Sequence, residues 1–398
     1  MDSNFRTGEI ICRYNIQNIS KKVSILNEDY ILDSHFSMYI NDEKIEATKS
    51  YEFPSIGVYE IKYIFYENKI NLNYMFKNVD SLISVEMKSN KSAIIINLIS
   101  TFENCRNLNN FSLEGFNTEE IKSTKKLFYN SNLIEFNISD LNLNNIEDMS
   151  FMFASTSLKN INLSKLNTSQ VKDISYMFYN MSYITEIDLS SFDTKNVENM
   201  SHLFDSCKSL KNLNLKNLKT QKVLDMSSMF KKCYYLTSLD LESFDTKNVL
   251  DMSFMFAYNN NLPSLNLKNF NTENVVNMNS MFDNCAKITS LGLSNFNTSK
   301  VLDMSSMFNE LNLIKVFDTK NFDTKKVKDM SNMFRYCYNL KDIYLSSFDT
   351  SQVTNMERMF YYCSSLEKLN LSFFNTEKVE NMSQMFFFLY KIGRIRYK

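Results

Sequence analysis

Flexible linkers need glycine or proline, and this 398-residue chain holds five Gly and two Pro. No stretch of it can behave as a Gly/Ser or Pro-rich tether, so any boundary between domains has to be tight. An excess of charge of one sign is also missing: 44 Lys and Arg against 45 Asp and Glu leave a net charge of −1. That balance gives no general attraction to nucleic acid or to an anionic membrane, and no nucleic-acid partner is expected. Histidine occurs twice, as His35 and His202, which leaves little material for a Ser/His/Asp or Cys/His centre. CxxC and Cys/His metal spacings are absent, as are the GxxxxGK and GxGxxG phosphate loops. On these grounds no enzyme activity, cofactor or metal is expected. No apolar run reaches the roughly 20 residues of a membrane-spanning helix. The opening MDSNFRTGEIICRYNIQ, with Asp2 and Glu9, lacks the apolar core of a signal peptide.

What the chain does contain is one stretch written many times. LDLESFDTKNVLDMSFMF, from Leu239 to Phe256, returns in edited form from about residue 76 to the C-terminus. With the Phe of the MF pair as origin, the marker falls at Phe76, Phe102, Phe128, Phe153, Phe178, Phe204, Phe230, Phe256, Phe282, Phe308, Phe334, Phe360 and Phe386, in steps of 26 residues with two of 25. A fixed period of that size marks a solenoid, whose units bury their apolar faces only by stacking on one another. Thr recurs ten residues before the marker, from Thr118 to Thr376, Val seven before it, and Met four and one before it. Nineteen of the 23 Met occupy those two slots, so the Met enrichment belongs to the repeat and not to a metal site or a Met-rich surface.

Within a unit, Leu236, Leu239 and Leu241 predict a short strand. Phe244, Asp245 and Thr246 predict a corner, because short polar side chains bond local backbone groups. Val249 through Met252 predicts a second extended piece. Asp251 or Ser253 then stands where a cap would start one short helix carrying Met255 and Phe256, about two turns long and ending before Leu262.

The consensus S/N-F-D/N-T-x-x-V-x-D/N-M-S-x-M-F-x-x-C-x-x-L-x-x-L-x-L resembles the BspA-like leucine-rich repeats over about 320 residues, with FDT, DMS and MF recurring together at fixed offsets. The resemblance implies a right-handed leucine-rich-repeat coil used for binding, often in adhesion at a cell surface, and it carries over no catalytic residue. Joined to the local reading, the expected fold is an α/β repeat solenoid with a parallel β ladder and one short helix per repeat. Residues 71–398 form about 13 units of it, after a small β-rich N-terminal cap over residues 1–70. In that segment Ile10 to Tyr14, Phe36 to Ile40 and Val58 to Tyr66 read as strands, with Asn41, Asp42 and Glu43 turning a hairpin; a separate recognition module is the other reading of the same residues. The implied function is a non-enzymatic scaffold that binds a protein, from a host or another copy of itself, with a glycan as the second partner class. The alternative is a structural protein that self-associates through its solenoid ends. Localisation divides in the same way, into the cytosol from the absent leader and the cell surface from the resemblance.

Specificity has to lie where the units differ. The row between the strand Leu residues, Asp188, Asn214, Asp240, Asn266, Gly292, Asp318, Tyr344 and Asn370, varies in size and charge as a solvent-facing row does. Tyr336 and Tyr361, with Tyr234, Tyr235, Tyr258, Tyr338 and Tyr362, follow the marker and gather toward the C-terminal half, and Tyr suits interfaces because its ring is apolar and its hydroxyl is not. The candidate partner-binding residues are therefore Asp188, Asn214, Asp240, Asn266, Tyr344, Asn370, Tyr336 and Tyr361. A further ladder stands five before the marker: Asp148, Asp173, Asn199, Asp225, Asp251, Asn277, Asp303, Asp329, Asn355 and Asn381. Stacked carboxylates could hold calcium, but Asn serving as well as Asp favours bonding to each unit's own backbone. Six of the seven Cys, Cys105, Cys207, Cys233, Cys285, Cys337 and Cys363, lie three after the marker, in a slot that also takes Val79, Thr156 and Leu311. Such tolerance marks a packing position, and buried reduced thiols are expected there in preference to rung-to-rung disulfides. At the C-terminus, Phe386, Phe387, Phe388, Leu389 and Tyr390, followed by Lys391, Arg394, Arg396 and Lys398, read as a packed terminal cap or as a docking patch through which copies could associate.

Overall fold

The computed structural model describes residues 6–19, 21–32, 35–90, 92–136, 141–392 and 395–396; Asp2, Arg394 and Lys398 fall outside them. The chain divides into two compact units, 1–196 and 197–398.

In the first unit, β1 (Gly8–Ile16) buries Ile10, Cys12, Tyr14 and Ile16 on one face, the period-two pattern of a half-covered strand. It is followed by β2 (Val23–Ser24), β3 (Phe36–Ile40), β4 (Glu43–Ile45), β5 (Ser50–Tyr51), β6 (Gly57–Phe65), β7 (Lys69–Asn71), β8 (Leu82–Ser89), β9 (Ile94–Asn97), β10 (Asn110–Glu114) and β11 (Glu186–Asp188). Six of these form one sheet in the order β10-β8-β1-β6-β3-β4. The β3–β4 hairpin turns on Asn41 and Asp42, whose φ angles are 48° and 70°, the mirror-image turn that suits the twist of paired strands. β8 and β10 are the strand slots of the first two repeats; β8 pairs antiparallel with β1 and parallel with β10. The N-terminal strands therefore cover the edge of the first rung, which would otherwise present unpaired backbone groups. Tyr63 closes the core of that rung, lying edge-on to Phe76 with ring centroids 5.5 Å apart. Its hydroxyl lies 2.8 Å from that of Tyr14 and 3.2 Å from the buried carbonyl of Ile25, which accepts the Tyr14 proton at 2.8 Å. Gly115 passes so close to β8 that a Cβ would lie 2.1 Å from the Ser89 carbonyl oxygen, and its φ of +76° also requires glycine.

In the second unit the strand slot forms β12 (Asn212–Asn214), β13 (Val316–Asp318), β14 (Asp342–Tyr344), β15 (Leu369–Asn370) and β16 (Ile395–Arg396), with β13 parallel to β14 and β15 parallel to β16. The continuous ladder lies elsewhere. Asn199, Asp225, Asp251, Asn277, Asp303, Asp329, Asn355 and Asn381, five before each marker, bridge in parallel from rung to rung. The marker rings fill the centre. Phe204 through Phe386 stack nearly parallel with centroids 5.6–6.5 Å apart, and Phe76 through Phe178 do the same in the first unit.

No α-helix occurs among the described residues, which overturns the expectation of an α/β coil with one short helix per repeat; the repeats build a β-solenoid. The stretch read as helical is an arc of tight turns. Around Phe256, the N–H groups of Met255 and Ala257 donate to the carbonyls of Met252 and Phe254 three residues back. Those of Met252, Phe254, Phe256 and Tyr258 donate to Asn277, Asn279, Met281 and Asp283 of the next rung. Alternate donors thus serve the turn and the stack. A helix would send every donor along its own axis and, with side chains, is roughly 10 Å wide, whereas the arcs lie at the spacing of the ring stack. A helix on every rung does not fit into that space. Asp251 accordingly caps no helix: its Oδ1 accepts the N–H of Ser253 at 2.7 Å, and Asp225, Asn277, Asp303, Asp329, Asn355 and Asn381 each close the same two-residue turn.

The alternation strains the backbone. Every marker has a left-handed residue two before it and two after it, with φ between 53° and 65°, and none of these positions is a glycine. An L-residue there costs roughly 1–2 kcal/mol, least for Asn, which stands at 78, 104, 130, 180, 284 and 332.

Side chains complete the bonding between rungs. The buried Thr ten before the marker uses its hydroxyl twice: Thr246 Oγ1 donates to the Asn271 carbonyl at 2.9 Å and accepts the Asn271 N–H at 2.8 Å. Thr220, Thr272 and Thr298 clip Asp245, Asn297 and Asp323 in the same way, and Thr118 clips Asn142. In the cysteine slot, the Sγ atoms of Cys105, Cys233, Cys285, Cys337 and Cys363 lie 2.9–3.2 Å from the carbonyl of the marker Phe one rung earlier. Asn259 reaches Phe230 O at 2.9 Å from the same slot, which makes it a donor position as well as a packing position. All seven Cys are buried and none forms a disulfide, and burial pushes the thiols of Cys285 and Cys337 up to about 12.

Three outcomes follow. Phe256→Ala should cost roughly 3–5 kcal/mol in denaturant unfolding. Thr246→Val, which keeps the shape but leaves the Asn271 N–H and carbonyl unpaired, should cost about 1–3 kcal/mol, and Thr246→Ser distinctly less. Glu310→Asn, at a left-handed site with φ 59°, should stabilise by roughly 0.5 kcal/mol. Thiol titration provides a separate check: no Cys should react with Ellman's reagent in the native chain at mildly alkaline pH, and all seven should react after unfolding in guanidinium.

Candidate protein-binding surface

The position two after the marker is Asn284 and then Glu310 in two successive units, and Tyr336, Tyr362 and Phe388 in the next three. All occupy the left-handed end of the arc. Because the rungs stack, these last three side chains are brought together: Tyr336 and Tyr362 have centroids 5.4 Å apart, Tyr362 and Phe388 4.0 Å. The column one after the marker adds Arg335, Tyr361 and Phe387, with Tyr361 parallel to Phe387 at 5.9 Å. The column four after it adds Tyr338 against Tyr362 and Tyr390 against Phe388. The Arg335 guanidinium lies 4.3 Å from the centre of the Tyr336 ring and 5.8 Å from that of Tyr361. Arg358 is 5.9 Å from Tyr361, bonds Gln384 through Nε at 2.7 Å and pairs with Glu357 at 2.9 Å. The result is one aromatic field with cations laid on ring faces. Tyr338, Phe387 and Tyr390 are 40, 50 and 69% exposed.

Polar groups border this field. Asn309 donates to Asp283 Oδ1 at 2.7 Å. Burial raises the Asp283 carboxyl above its usual range against the pull of the Asn309 and Tyr258 hydrogen bonds, and burial, with the Asp283 carboxylate beside it, pushes the Tyr258 phenol up to about 12.

Of the residues singled out from sequence, Tyr336 and Tyr361 lie inside the field. Asp188, Asn214, Asp240, Asn266, Tyr344 and Asn370 are all exposed, but the Asp and Asn members share a local task. Their Oδ1 atoms accept the N–H two residues on, that of Ser190 for Asp188 and of Glu242 for Asp240, with the others alike. Their recurrence is turn chemistry. Tyr344 departs from it and carries Lys320 4.3 Å from its ring centre. The aromatic run near the C-terminus divides: Phe386 is the last ring of the core stack, beside a cavity of about 260 Å³ lined by Met356, Leu371, Phe374, Met382 and Met385, whereas Phe387, Phe388 and Tyr390 join the aromatic field. Sequence reasoning missed Arg335 and Arg358 and did not connect the Phe run to the Tyr cluster. The run of three aromatics in one column was the available signal.

Elsewhere, His202 Nδ1 and Ser206 Oγ each lie 2.8 Å from the Asp205 carboxylate. Among the described residues no group of three or more His, Cys, Asp or Glu is gathered as metal ligands would be, and no helix is long and apolar enough to cross a membrane.

No match is found among curated proteins. Similar solved structures include a leucine-rich repeat protein from Eubacterium ventriosum, 13% identical, covering 77% of this chain and 90% of that one at a TM-score of 0.42. Another is a leucine-rich repeat protein of Leptospira interrogans, 11% identical, covering 72% and 71% at a TM-score of 0.24. With superpositions that loose, the architecture rests on this chain's own hydrogen bonds. One family model matches residues 60–165, 129–238, 225–319 and 311–392, nearly the whole of the repeated sequence, and the chain thus belongs to the family described as "Mycoplasma protein of unknown function, DUF285".

Proposed function

We propose that the chain is a non-enzymatic repeat scaffold that binds a protein partner through the aromatic and arginine field of residues 335–338, 358–362 and 387–390. The observation that carries this reading is the contiguity of Tyr336, Tyr338, Tyr361, Tyr362, Phe387, Phe388 and Tyr390 under two guanidinium groups, with three of the rings 40% exposed or more. Large rigid rings and Arg bring apolar area and directed bonds at small conformational cost, and they anchor protein interfaces for that reason. The repeated buried polar residues support it from the other side, since the Thr and Cys ladders spend their bonds within the stack. The resemblance of the FDT, DMS and MF elements to BspA-like repeats supports a partner met in adhesion at a cell surface.

Immobilised chain should retain a specific protein from host-cell extract. The variant Tyr338→Ser, Phe387→Ser, Tyr390→Ser should lose it, with an affinity drop of roughly 30-fold or more per anchor of hot-spot strength, and its circular dichroism should be unchanged. Asp240→Lys should retain it. Retention by the triple variant, or loss through Asp240→Lys alone, would move the interface off the aromatic field and onto the strand row.

A further inference from the structure

The row six residues before the marker is ionic over much of its length. In the first unit Lys122, Glu147 and Lys172 alternate in sign and pair from rung to rung, at 3.6 and 2.7 Å. In the second unit the row starts with Glu198 and ends with Lys328, Thr354 and Glu380, but the four rungs between carry Leu224, Leu250, Val276 and Leu302. These four are 44, 44, 37 and 43% exposed. Their backbones are locked in register, the N–H of Leu250 donating to Leu224, of Val276 to Leu250 and of Leu302 to Val276 at 2.8–2.9 Å. A single exposed Leu is ordinary. Four on consecutive rungs make an aliphatic ridge about 15 Å long at strand spacing.

The residue after each ridge position belongs to the ladder of Asp225, Asp251, Asn277, Asp303 and Asp329. Asp225 bridges directly to Asp251, and Asp303 to Asp329, so like charges stand on neighbouring rungs. Among the described residues none of these four carboxylates forms an ion pair. The opposite flank carries Lys222, Asn248, Asn274 and Lys300. The ridge is therefore apolar along its crest and acidic along one side.

We propose that this ridge docks an amphipathic helix of a partner protein, aliphatic on its contact face and lined with Lys or Arg where it meets the Asp row. The pitch of an α-helix, about 5.4 Å, nearly matches a rung spacing of about 4.8 Å. Residues at i, i+4, i+7 and i+11 then meet successive rungs, whereas same-face residues of a strand, roughly 6.7 Å apart, do not. The acidic row repels an anionic lipid surface and attracts a basic flank. A second copy of the chain offers no helix among its described residues.

The test uses the full chain and a fluorescein-labelled synthetic helix with Leu at those four positions and Lys along one flank, beside a twin with Glu for each Lys. Anisotropy at low salt should show saturable binding of the Lys peptide, about tenfold or more tighter than the twin. Leu250→Ser with Leu302→Ser should weaken it about tenfold or more. Asp251→Asn with Asp303→Asn, which places Asn where other rungs already carry it, should erase the difference between the peptides and leave circular dichroism unchanged. Equal binding of both peptides, no saturable binding, or indifference to the Leu substitutions overturns the proposal. A dimer in light scattering that Leu250→Ser dissolves overturns it in favour of a second copy, and binding to anionic vesicles that the same substitution abolishes overturns it in favour of lipid.

Discussion

Successive turns of this protein are held about 4.8 Å apart by rung-to-rung backbone hydrogen bonds, around a core of stacked phenyl rings with centroids 5.6–6.5 Å apart in the second unit and 5.6–6.3 Å in the first. Backbone at that pitch must hydrogen-bond along the stack or leave its polar groups buried and unpaired, at a cost of about 1–3 kcal/mol for each group. The arc around each marker meets that demand with every second N–H and closes its own turns with the others. The left-handed residues, the arcs of turns in place of helices at the markers and the short reach from one rung to the next all follow from this alternation.

The strain is offset by buried contacts that recur with the same period. Each Thr hydroxyl engages both backbone groups of a residue one rung on, each Asp or Asn of the bridging ladder ties down its own turn, and the thiol slot meets a carbonyl of the rung before. The Thr and thiol slots are buried in the stack and are poor candidates for recognising anything outside it, whereas the ladder Asp residues are half-buried and keep a charge at the surface. The outward columns are under no such constraint: the column after the marker turns aromatic over three rungs, and the column before the bridging ladder turns aliphatic over four. Stacking converts each run into a continuous surface, because residues 26 apart in sequence become neighbours.

The solenoid was legible because its marker, Thr, Val and Met slots keep a common period. The strands of the N-terminal segment were legible from alternation, as in Ile10, Cys12 and Tyr14. The helix was misread for a physical reason. Asp251, Ser253, Met255 and Phe256 satisfy local rules for a capped helical turn, and a chain with five Gly gives no sign that Phe254 and Tyr258 will sit at positive φ. Stacking on the neighbouring rungs forces that conformation, and no window of sequence contains those rungs. The strand row has a second role that its variation hides: Asp240 is exposed as a recognition residue would be, and its Oδ1 also closes its own turn. At the candidate site, Tyr336 and Tyr361 were found by composition. Arg335 entered only when its guanidinium proved to lie on the Tyr336 ring, one residue on in the arc.

The sequence by itself determined that the chain is periodic, which slots face the core, and that no flexible tether interrupts it, since periodicity and the scarcity of Gly and Pro are properties of the chain read as a string. Only the tertiary structure decided how the backbone passes the marker Phe and which variable residues share a surface. Both depend on the distance between rungs, and that distance arises from packing between residues some 26 positions apart.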